Sequence, residues 1–424
     1  MSLNIFISAG EASGEHYGAL LIEALKKQLA AIDPSARFFG MGGDRMAEAG
    51  LERVVRSEDM AVMGITEVVR HLPRIYREFR KLKQAIRARR PDVAVLIDFP
   101  DIHFKLAREF HRLGIPVVFF VSPQLWAWKK HRIRLVQKYV TRMLVIFPFE
   151  EPFYRERGVE AEFVGHPLAE LPPPSISREA FALQNNLDPS RTWIGLLPGS
   201  RPKEIRDNLP EMLIAARHLA ARTKFPQTQF EFLVPLAATL GAVQRRSAEE
   251  MVNQLGQNLT VRLVDDVDAD AAVVPTAGGA RASLYHARAS VVASGTATVE
   301  AALMGNPFVV VYRVSPITYA IAKRVVTVPH IAMANLIAAK RIAPELIQAD
   351  FTAANIVREL DRLLPDGPPR QSMMQELARI RGLLNARPAD QNERSGGAID
   401  RVAKITIGLI PSVSSNNNKQ IVQS

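Results

Sequence analysis

Hydrophobic residues along this chain follow two patterns that alternate, and the alternation sets the fold class. Short apolar runs rich in β-type residues recur through the first half at Leu3–Ser8, Val93–Asp98, Pro116–Val121, Met143–Phe147 and Glu162–Val164. They return in the second half at Trp193–Leu197, Phe230–Val234, Thr260–Val264, Ser290–Ala293 and Pro307–Tyr312. Between them lie segments such as His16–Ala30, His103–Leu113 and Leu209–Ala221, whose apolar residues recur every three or four positions. That is the period of a helix with one buried face. Strand and helix patterns in alternation predict an α/β chain of parallel sheets with helices on both faces. Val93–Ile97 is apolar at every position, as a strand buried on both sides must be.

Both periods fail across Pro167–Ser175, which contains four prolines and reads as a linker. The chain is therefore expected to form two Rossmann-like domains facing across a cleft, over residues 1–168 and 185–365. Helical patterns over 366–408 are expected to pack back on the first domain or on a partner chain. The polar stretch 409–424 reads as a disordered tail. Ligands of doubly wound sheets bind outside the carboxyl ends of the strands, so the cleft is the expected site.

Composition narrows the partners. Of 424 residues, 47% are hydrophobic and 23% charged, ordinary for a globular protein with ample core. There is no cysteine, which excludes disulfides and thiolate chemistry. Met1–Asn4 leads into an apolar strand without a basic leader, so a cytoplasmic protein is expected. The long segment Ala289–Tyr312, which lacks Lys and Arg, holds Glu300, Asn306, Pro307 and two glycines and is unsuited to spanning a membrane. The net charge of +11 and pI near 9.9 suggest nucleic acid, an anionic membrane or phosphorylated ligands.

Much of that charge is concentrated. Arg70–Arg90 carries nine basic residues and one acid, Glu78. Its apolar residues Val68, Val69, Leu72, Ile75, Tyr76, Phe79, Leu82 and Ile86 have helical spacing, with Pro73 as a break or restart. One reading is a core-packed helix with a solvated basic face. The other is a helix lying on an anionic bilayer. Basic residues clustered on one helix, without interleaved loop aromatics or a recognised motif, argue against nucleic acid.

Residues with chemical potential gather where strands end. After Ser290–Ala293, the small residues Ser294, Gly295 and Thr296 turn the chain into a helix whose first N–H groups are free to face an anion. Glu300 follows, placed to accept hydroxyls of a bound sugar; an ordinary turn capped by Thr296 is the plainer alternative. After Trp193–Leu197, Gly199 and Ser200 offer backbone donors and Arg201 a bidentate phosphate contact. Two anion loops in one sheet fit a diphosphate.

In the first half, Gly10 and Gly14 allow close backbone approach to a ligand. They lie among Glu11, Ser13 and Glu15, at a spacing that is neither the dinucleotide fingerprint nor a P-loop. Asp98 ends a buried strand, where a carboxylate acts as general base or binds hydroxyls. Asp101 is a candidate N-cap, and His103 just beyond it is cleft-facing, solvent-facing or capping. Gln124, Trp126 and Trp128 sit in a loop after another strand, suited to sugar stacking, an apolar acceptor pocket or domain packing. His166, before Pro167, reads as a turn residue at the cleft mouth. Asp265, Asp266 and Asp268 suggest a metal less than they suggest a solvated loop.

Taken in order, Ser8–Glu15, Val62–Ile65 with Glu67 and Val68, Ile97–Asp101, Ser122–Trp128, Pro148–Glu150, Gly165–Leu168, Leu196–Arg201, Ser294–Glu300 and Asn335–Ala338 resemble the lipid-A-disaccharide synthase family. The resemblance implies an inverting glycosyltransferase of the GT-B type, with no cofactor and no metal. It would join UDP-2,3-diacylglucosamine to 2,3-diacylglucosamine 1-phosphate (lipid X) in a β(1→6) linkage, peripherally on the anionic inner-membrane surface, and it allows a homodimer. It implies Asp98 as the base and Gly199, Ser200, Arg201, Ser294, Gly295, Thr296, Glu300 and Asn335 on the UDP-sugar side. The acceptor side would comprise Gly10, Glu11, Ser13, Gly14, Glu15, Asp101, Gln124 and Trp126. His103 stands where the family usually has asparagine, Ala334 and Ala339 where it has proline and glycine, and Asp268–Arg288 is longer than usual. A UDP-sugar epimerase of the same architecture is the rival enzyme.

Overall fold

The computed structural model describes residues 2–60, 65–128, 130–221, 229–237, 240–265, 279–326, 328–385, 396–411 and 413. The chain forms two compact units, one of residues 1–170 with 384–424 and one of residues 171–383.

The first unit is built on seven parallel strands: β1 (Asn4–Ala9), β2 (Arg37–Gly42), β3 (Leu51–Arg56), β4 (Val93–Ile97), β5 (Val117–Phe120), β6 (Arg142–Val145) and β7 (Ala161–Phe163). They lie in the order β3-β2-β1-β4-β5-β6-β7. Around them run α1 (Ala12–Leu29), α2 (Asp44–Glu48), α3 (Ile65–Arg89), α4 (Pro100–Arg112), α5 (Ile133–Tyr139) and α6 (Glu150–Arg155). Alternate strand residues point to opposite faces and make two cores. Ile5, Ile7, Val93, Val95 and Ile97 pack with Tyr17, Leu21 and Leu25 of α1. Phe6, Ala94 and Leu96 pack with Leu82 and Ile86 of α3 and with Leu106 and Phe110 of α4.

The helix Ala398–Gly408 adds Val402, Ala403 and Ile407 to the α1-side core. Its first amide, that of Ala398, donates to both Glu170 oxygens at 2.6 and 2.7 Å. Glu170 closes a short helix, Pro167–Glu170, inside the proline-rich stretch that periodicity marks as linker.

Pro73 does not break α3, which runs through it; the ring removes one N–H from the ladder without ending the helix. Ile75, Phe79, Leu82 and Ile86 turn into the core, so this part of the apolar stripe is a packing stripe. Tyr76 is 63% exposed. The side chains of residues 65–72, including Val68, Val69 and Leu72, lie outside the described residues. Among the described residues no helix is long and apolar enough to cross a membrane.

Two strands of this sheet escape the apolar pattern. β2 contains Gly40 and Gly42, and a Cβ at Gly40 would stand 2.0 Å from the Ile7 carbonyl of β1. β3 lies at the sheet edge and carries Glu52, Arg53 and Arg56.

The second unit holds six strands: β8 (Thr192–Leu197), β9 (Phe230–Leu236), β10 (Thr260–Asp265), β11 (Ala289–Ala293), β12 (Phe308–Tyr312) and β13 (Glu345–Ile347). Their order is β10-β9-β8-β11-β12-β13, with every pairing parallel. Asp265 ends β10 paired with Arg245. Asp266, Asp268 and the start of the long 268–288 segment lie outside the described residues, and the segment resumes in the helix Gly279–His286.

Candidate active site

In each sheet the strand order reverses once. The reversal falls between β1 and β4 in the first unit and between β8 and β11 in the second. At such a point the loops leave in opposite directions and open a crevice at the carboxyl edge. Ser8–Glu15 follows β1 and Asp98–Asp101 follows β4; Leu196–Arg201 ends β8 and Ser294–Glu300 follows β11. These four candidate segments thus lie at the switch points, two per unit.

Asp98 occupies an unusual turn. Asp98 and Phe99 both have φ of +51°, a left-handed conformation that costs a non-glycine residue about 1–2 kcal/mol. Three contacts hold it. The Asp98 amide donates to the Phe120 carbonyl of β5 at 3.0 Å. The Phe99 ring lies where Gly10 has no side chain; a Cβ there would be 2.3 Å from Phe99 Cγ. Gly10 therefore admits an aromatic ring of its own unit rather than a ligand. Beneath the turn, His103 Nδ1 is 2.5 Å from the Asp98 carbonyl oxygen. A carbonyl only accepts, so Nδ1 carries the proton, and Nε2 accepts from the Ser8 hydroxyl at 2.8 Å. His103 is fully buried between the rings of Phe99 and Phe119. It is neither solvent-facing nor a cap; it is a neutral strut, its pKa lowered to about 4 by burial.

The other acceptor-side candidates divide. Glu11 is the N-cap residue of α1, Ser13 is exposed, and Gly14 packs on Ile97. Glu15 is half-buried and accepts the Arg45 amide at the start of α2 at 3.0 Å. Its carboxylate fills the space beside Gly43, and burial raises its pKa. Asp101 is not the N-cap of α4. Phe99 is, because Pro100, with its fixed φ, takes the first helical position. The Asp101 carboxylate instead pairs with Arg132 at 2.6 Å.

Trp126 does not face solvent. At 8% exposure its ring meets Phe149 edge-on and its Nε1 donates to Glu150 at 3.0 Å. Gln124 and Trp128, the latter 42% exposed, are the outward members of that loop. His166 is buried, accepts the Leu168 amide at 3.2 Å, and has its pKa lowered to about 3 by burial.

In the second unit, Gly199 takes φ of +118°. The next two amides, of Ser200 and Arg201, donate to the Glu204 carboxylate at 3.0 and 3.2 Å. The donors expected for an anion are thus engaged by a carboxylate of the following helix. Arg201 stands 3.5 Å from the same carboxylate, its side chain half exposed.

The other loop is open. Gly295, not Thr296, is the N-cap of the helix Thr296–Leu303. Its φ of +147° is a glycine conformation, and nothing lies within 4 Å of where its Cβ would stand. Thr296 and Ala297 form the first turn, where the helix supplies no acceptor for their amides. Ser294 Oγ donates to the Ile331 carbonyl at 3.3 Å, and Glu345 accepts the amides of Ile331 and Ala332.

Asn335, expected on the sugar side, is fully buried. Its Nδ2 donates to Ala343 and Glu345 and its Oδ1 accepts from Ile342 and Ala343, at 2.8–2.9 Å. That fills its hydrogen-bonding capacity within the protein, so Asn335 shapes the loop that braces Ser294. Ala339 ends the same short helix at φ of +53°, the position where the family's glycine would be unstrained. Glu300 is half-buried and interacts with the charge of Arg281, a buried arginine that sequence inspection passed over.

Two doubly wound sheets of this kind recur in solved structures. UDP-GlcNAc 2-epimerase from Neisseria meningitidis, solved bound to UDP-GlcNAc, aligns with a TM-score of 0.57 at 12% identity, covering 96% of this chain and 99% of that one. CalG4, the calicheamicin glycosyltransferase, aligns at 0.56 and 17% identity, covering 96% and 98%. Identity so low establishes the fold alone, and the fold serves both kinds of enzyme. Sequence separates them. Residues 5–394 match the family described as lipid-A-disaccharide synthetase. The lipid-A-disaccharide synthase of Acidobacterium capsulatum is 59% identical over 402 residues, 95% of each chain. The chain belongs to the lipid-A-disaccharide synthase family and is a glycosyltransferase.

The buried histidine strut has a consequence for pH. The His103 pKa is near 4 folded and near 6.5 unfolded. Below pH 6.5 the unfolded chain binds a proton that the native state refuses. The stability contributed by this group is therefore fully present above that value and falls towards pH 4, by up to about 1.4 kcal/mol per pH unit. Chemical denaturation of the parent and of His103→Asn between neutral pH and pH 4 should show a shallower loss in the variant; parallel curves would refute the neutral strut.

Proposed function

We propose that the chain transfers 2,3-diacylglucosamine from UDP to 2,3-diacylglucosamine 1-phosphate, forming the β(1→6) disaccharide and releasing UDP. The observation that carries this is the placement of Asp98 at one switch point and of the open Thr296 helix end at the other, in a chain of this family. Residues 1–168 would serve the acceptor and 185–365 the UDP-sugar.

Asp98 takes the proton from the acceptor 6-hydroxyl. The oxygen attacks C1 of the donor sugar from the face opposite UDP, the C1–O bond breaks with inversion, and the electron pair leaves on the diphosphate. The Thr296 and Ala297 amides, at the positive end of a helix, meet that charge in preorganised form. Arg201 adds its guanidinium, and Glu204 must yield the Ser200 and Arg201 amides if these are to join. Glu300 accepts hydroxyls of the nucleotide sugar.

Both substrates carry acyl chains, so the enzyme works at a membrane, on the cytoplasmic face of the inner membrane. The supporting surface is the groove along α3 lined by Tyr76, Arg77, Arg80, Lys81 and Gln84. Glu78 neutralises part of it through Arg77 and Lys81.

Replacing Asp98 by Asn keeps the side-chain shape and removes the proton acceptor. Turnover with both lipid substrates should fall ~100- to 10,000-fold with melting unchanged; near-native turnover in a folded variant would overturn the assignment. Replacing Arg77, Arg80 and Lys81 by Glu tests the membrane contact. Each basic residue near an anionic surface contributes about 1 kcal/mol, screened by salt. The triple variant should leave anionic vesicles at a salt concentration that retains the parent, with UDP affinity unchanged. Equal co-sedimentation of the two across ionic strength would show that α3 only packs.

A further inference from the structure

Glu150 is the first residue of α6, after the short loop that follows β6, and its side chain is almost completely buried. It grips the unit's neighbouring loops from inside. Oε1 accepts Trp126 Nε1 at 3.0 Å and Oε2 accepts the Phe147 amide at 3.2 Å. Nearby, the Ser122 hydroxyl donates to the Pro123 carbonyl at 2.9 Å and is 2.7 Å from the hydroxyl of Tyr154, a residue of the same helix as Glu150. Phe147 stacks on Phe149 at 5.7 Å, and Phe149 meets Trp126 edge-on at 5.0 Å. Ser122 and Trp126 are thus tied at both ends of the segment that displays Gln124 and adjoins exposed Trp128. This segment follows β5, the strand beside β4 and Asp98.

We propose that Glu150 is a positioning residue for the glycolipid acceptor, fixing the 122–128 loop so that Gln124 and Trp128 can contact it. The inference rests on the acceptor-side assignment of that loop. An exposed aromatic and a side-chain amide suit a sugar bearing acyl chains, but only if the loop holds one conformation.

Glu150's partners are dipoles, and burial pushes its carboxyl up to about 8. It is therefore neutral at neutral pH and acquires a buried charge above that value. The titratable neighbours do not follow it. Burial holds the Tyr154 phenol far above and the His166 imidazole far below this range. Glu151 turns to the Phe163 amide and Arg155. Between pH 4.5 and 8 the native state holds a proton that the unfolded chain has released, so stability declines as pH rises. Glu150→Gln, which keeps an acceptor and cannot ionise, removes that decline and should fold.

The test is a pH series on the parent, Glu150→Gln, Glu150→Ala and Trp126→Phe, with lipid X in mixed micelles as acceptor. The parent's tryptophan emission should titrate near pH 8 and its acceptor KM should rise through the same range. Both changes should vanish in Glu150→Gln, and the emission change in Trp126→Phe, with UDP affinity constant throughout. Glu150→Ala should raise the acceptor KM about 10-fold, as expected for a buried donor left unpaired; if it does not fold, Glu150→Gln carries the test. An acceptor KM in Glu150→Gln that follows the parent's pH profile would overturn the proposal. Gln124→Ala and Trp128→Ala separate the causes. If they leave the acceptor KM unchanged, the loop does not face the acceptor and the assignment falls with the proposal. If they raise it and the Glu150 variants do not, positioning by Glu150 alone is refuted.

Discussion

A parallel strand delivers its chain to the carboxyl edge of the sheet, and the loops of neighbouring strands crowd one another there. Only where the strand order reverses do two adjacent loops diverge and leave room for a ligand. In this protein the constraint operates twice, between β1 and β4 and between β8 and β11. The two reversals receive different chemistry. The first unit presents a carboxylate on a strained turn, and the second presents the open end of a helix. The proposed function assigns proton removal and charge acceptance, the two needs of an inverting sugar transfer, to separate units.

The first reversal shows how a fold can hold a carboxylate-bearing turn in an unfavourable conformation. Two successive left-handed residues at Asp98 and Phe99 would relax if their surroundings allowed. The ring of Phe99 is seated against Gly10, and the carbonyl of Asp98 is fixed by the buried imidazole of His103. Strain of this kind persists only where neighbours over-determine it. The second reversal is built differently. Its glycine supplies the geometry, and bracing comes from Ser294 through Ile331 to Glu345 and Asn335. The neighbouring β8 loop is closed on Glu204, so the two halves of the expected diphosphate site differ in readiness.

The sequence announced the α/β class because parallel strands buried on both faces, such as Val93–Ile97, are apolar throughout. It concealed β2 and β3, where glycines and edge charges interrupt the pattern. It located the loops at the strand ends because strand ends are visible in periodicity. It could not assign each side chain in those loops, since direction depends on partners distant in sequence. Gly10 faces Phe99, Trp126 faces Glu150, Glu15 faces Arg45 and Asn335 faces Glu345. Each is a long-range pairing that spacing does not encode. The apolar stripe of α3 illustrates the same limit, because Ile75, Phe79, Leu82 and Ile86 meet the requirement of a core face and of a membrane face equally well. His103 is instructive in another way: a histidine within a buried helix face is unremarkable by pattern, yet its two ring nitrogens join β1 to the Asp98 turn.

The central claim is that the two reversals serve different substrates, with UDP held by the second unit alone. Amide hydrogen exchange with and without saturating UDP tests it most directly. Slowed exchange should concentrate in peptides covering 196–201 and 294–300, around the amides of Thr296 and Ala297, while 8–15 and 97–101 exchange as before. Protection by UDP at 8–15 and 97–101, with 294–300 unaffected, would contradict the division of labour on which the account rests.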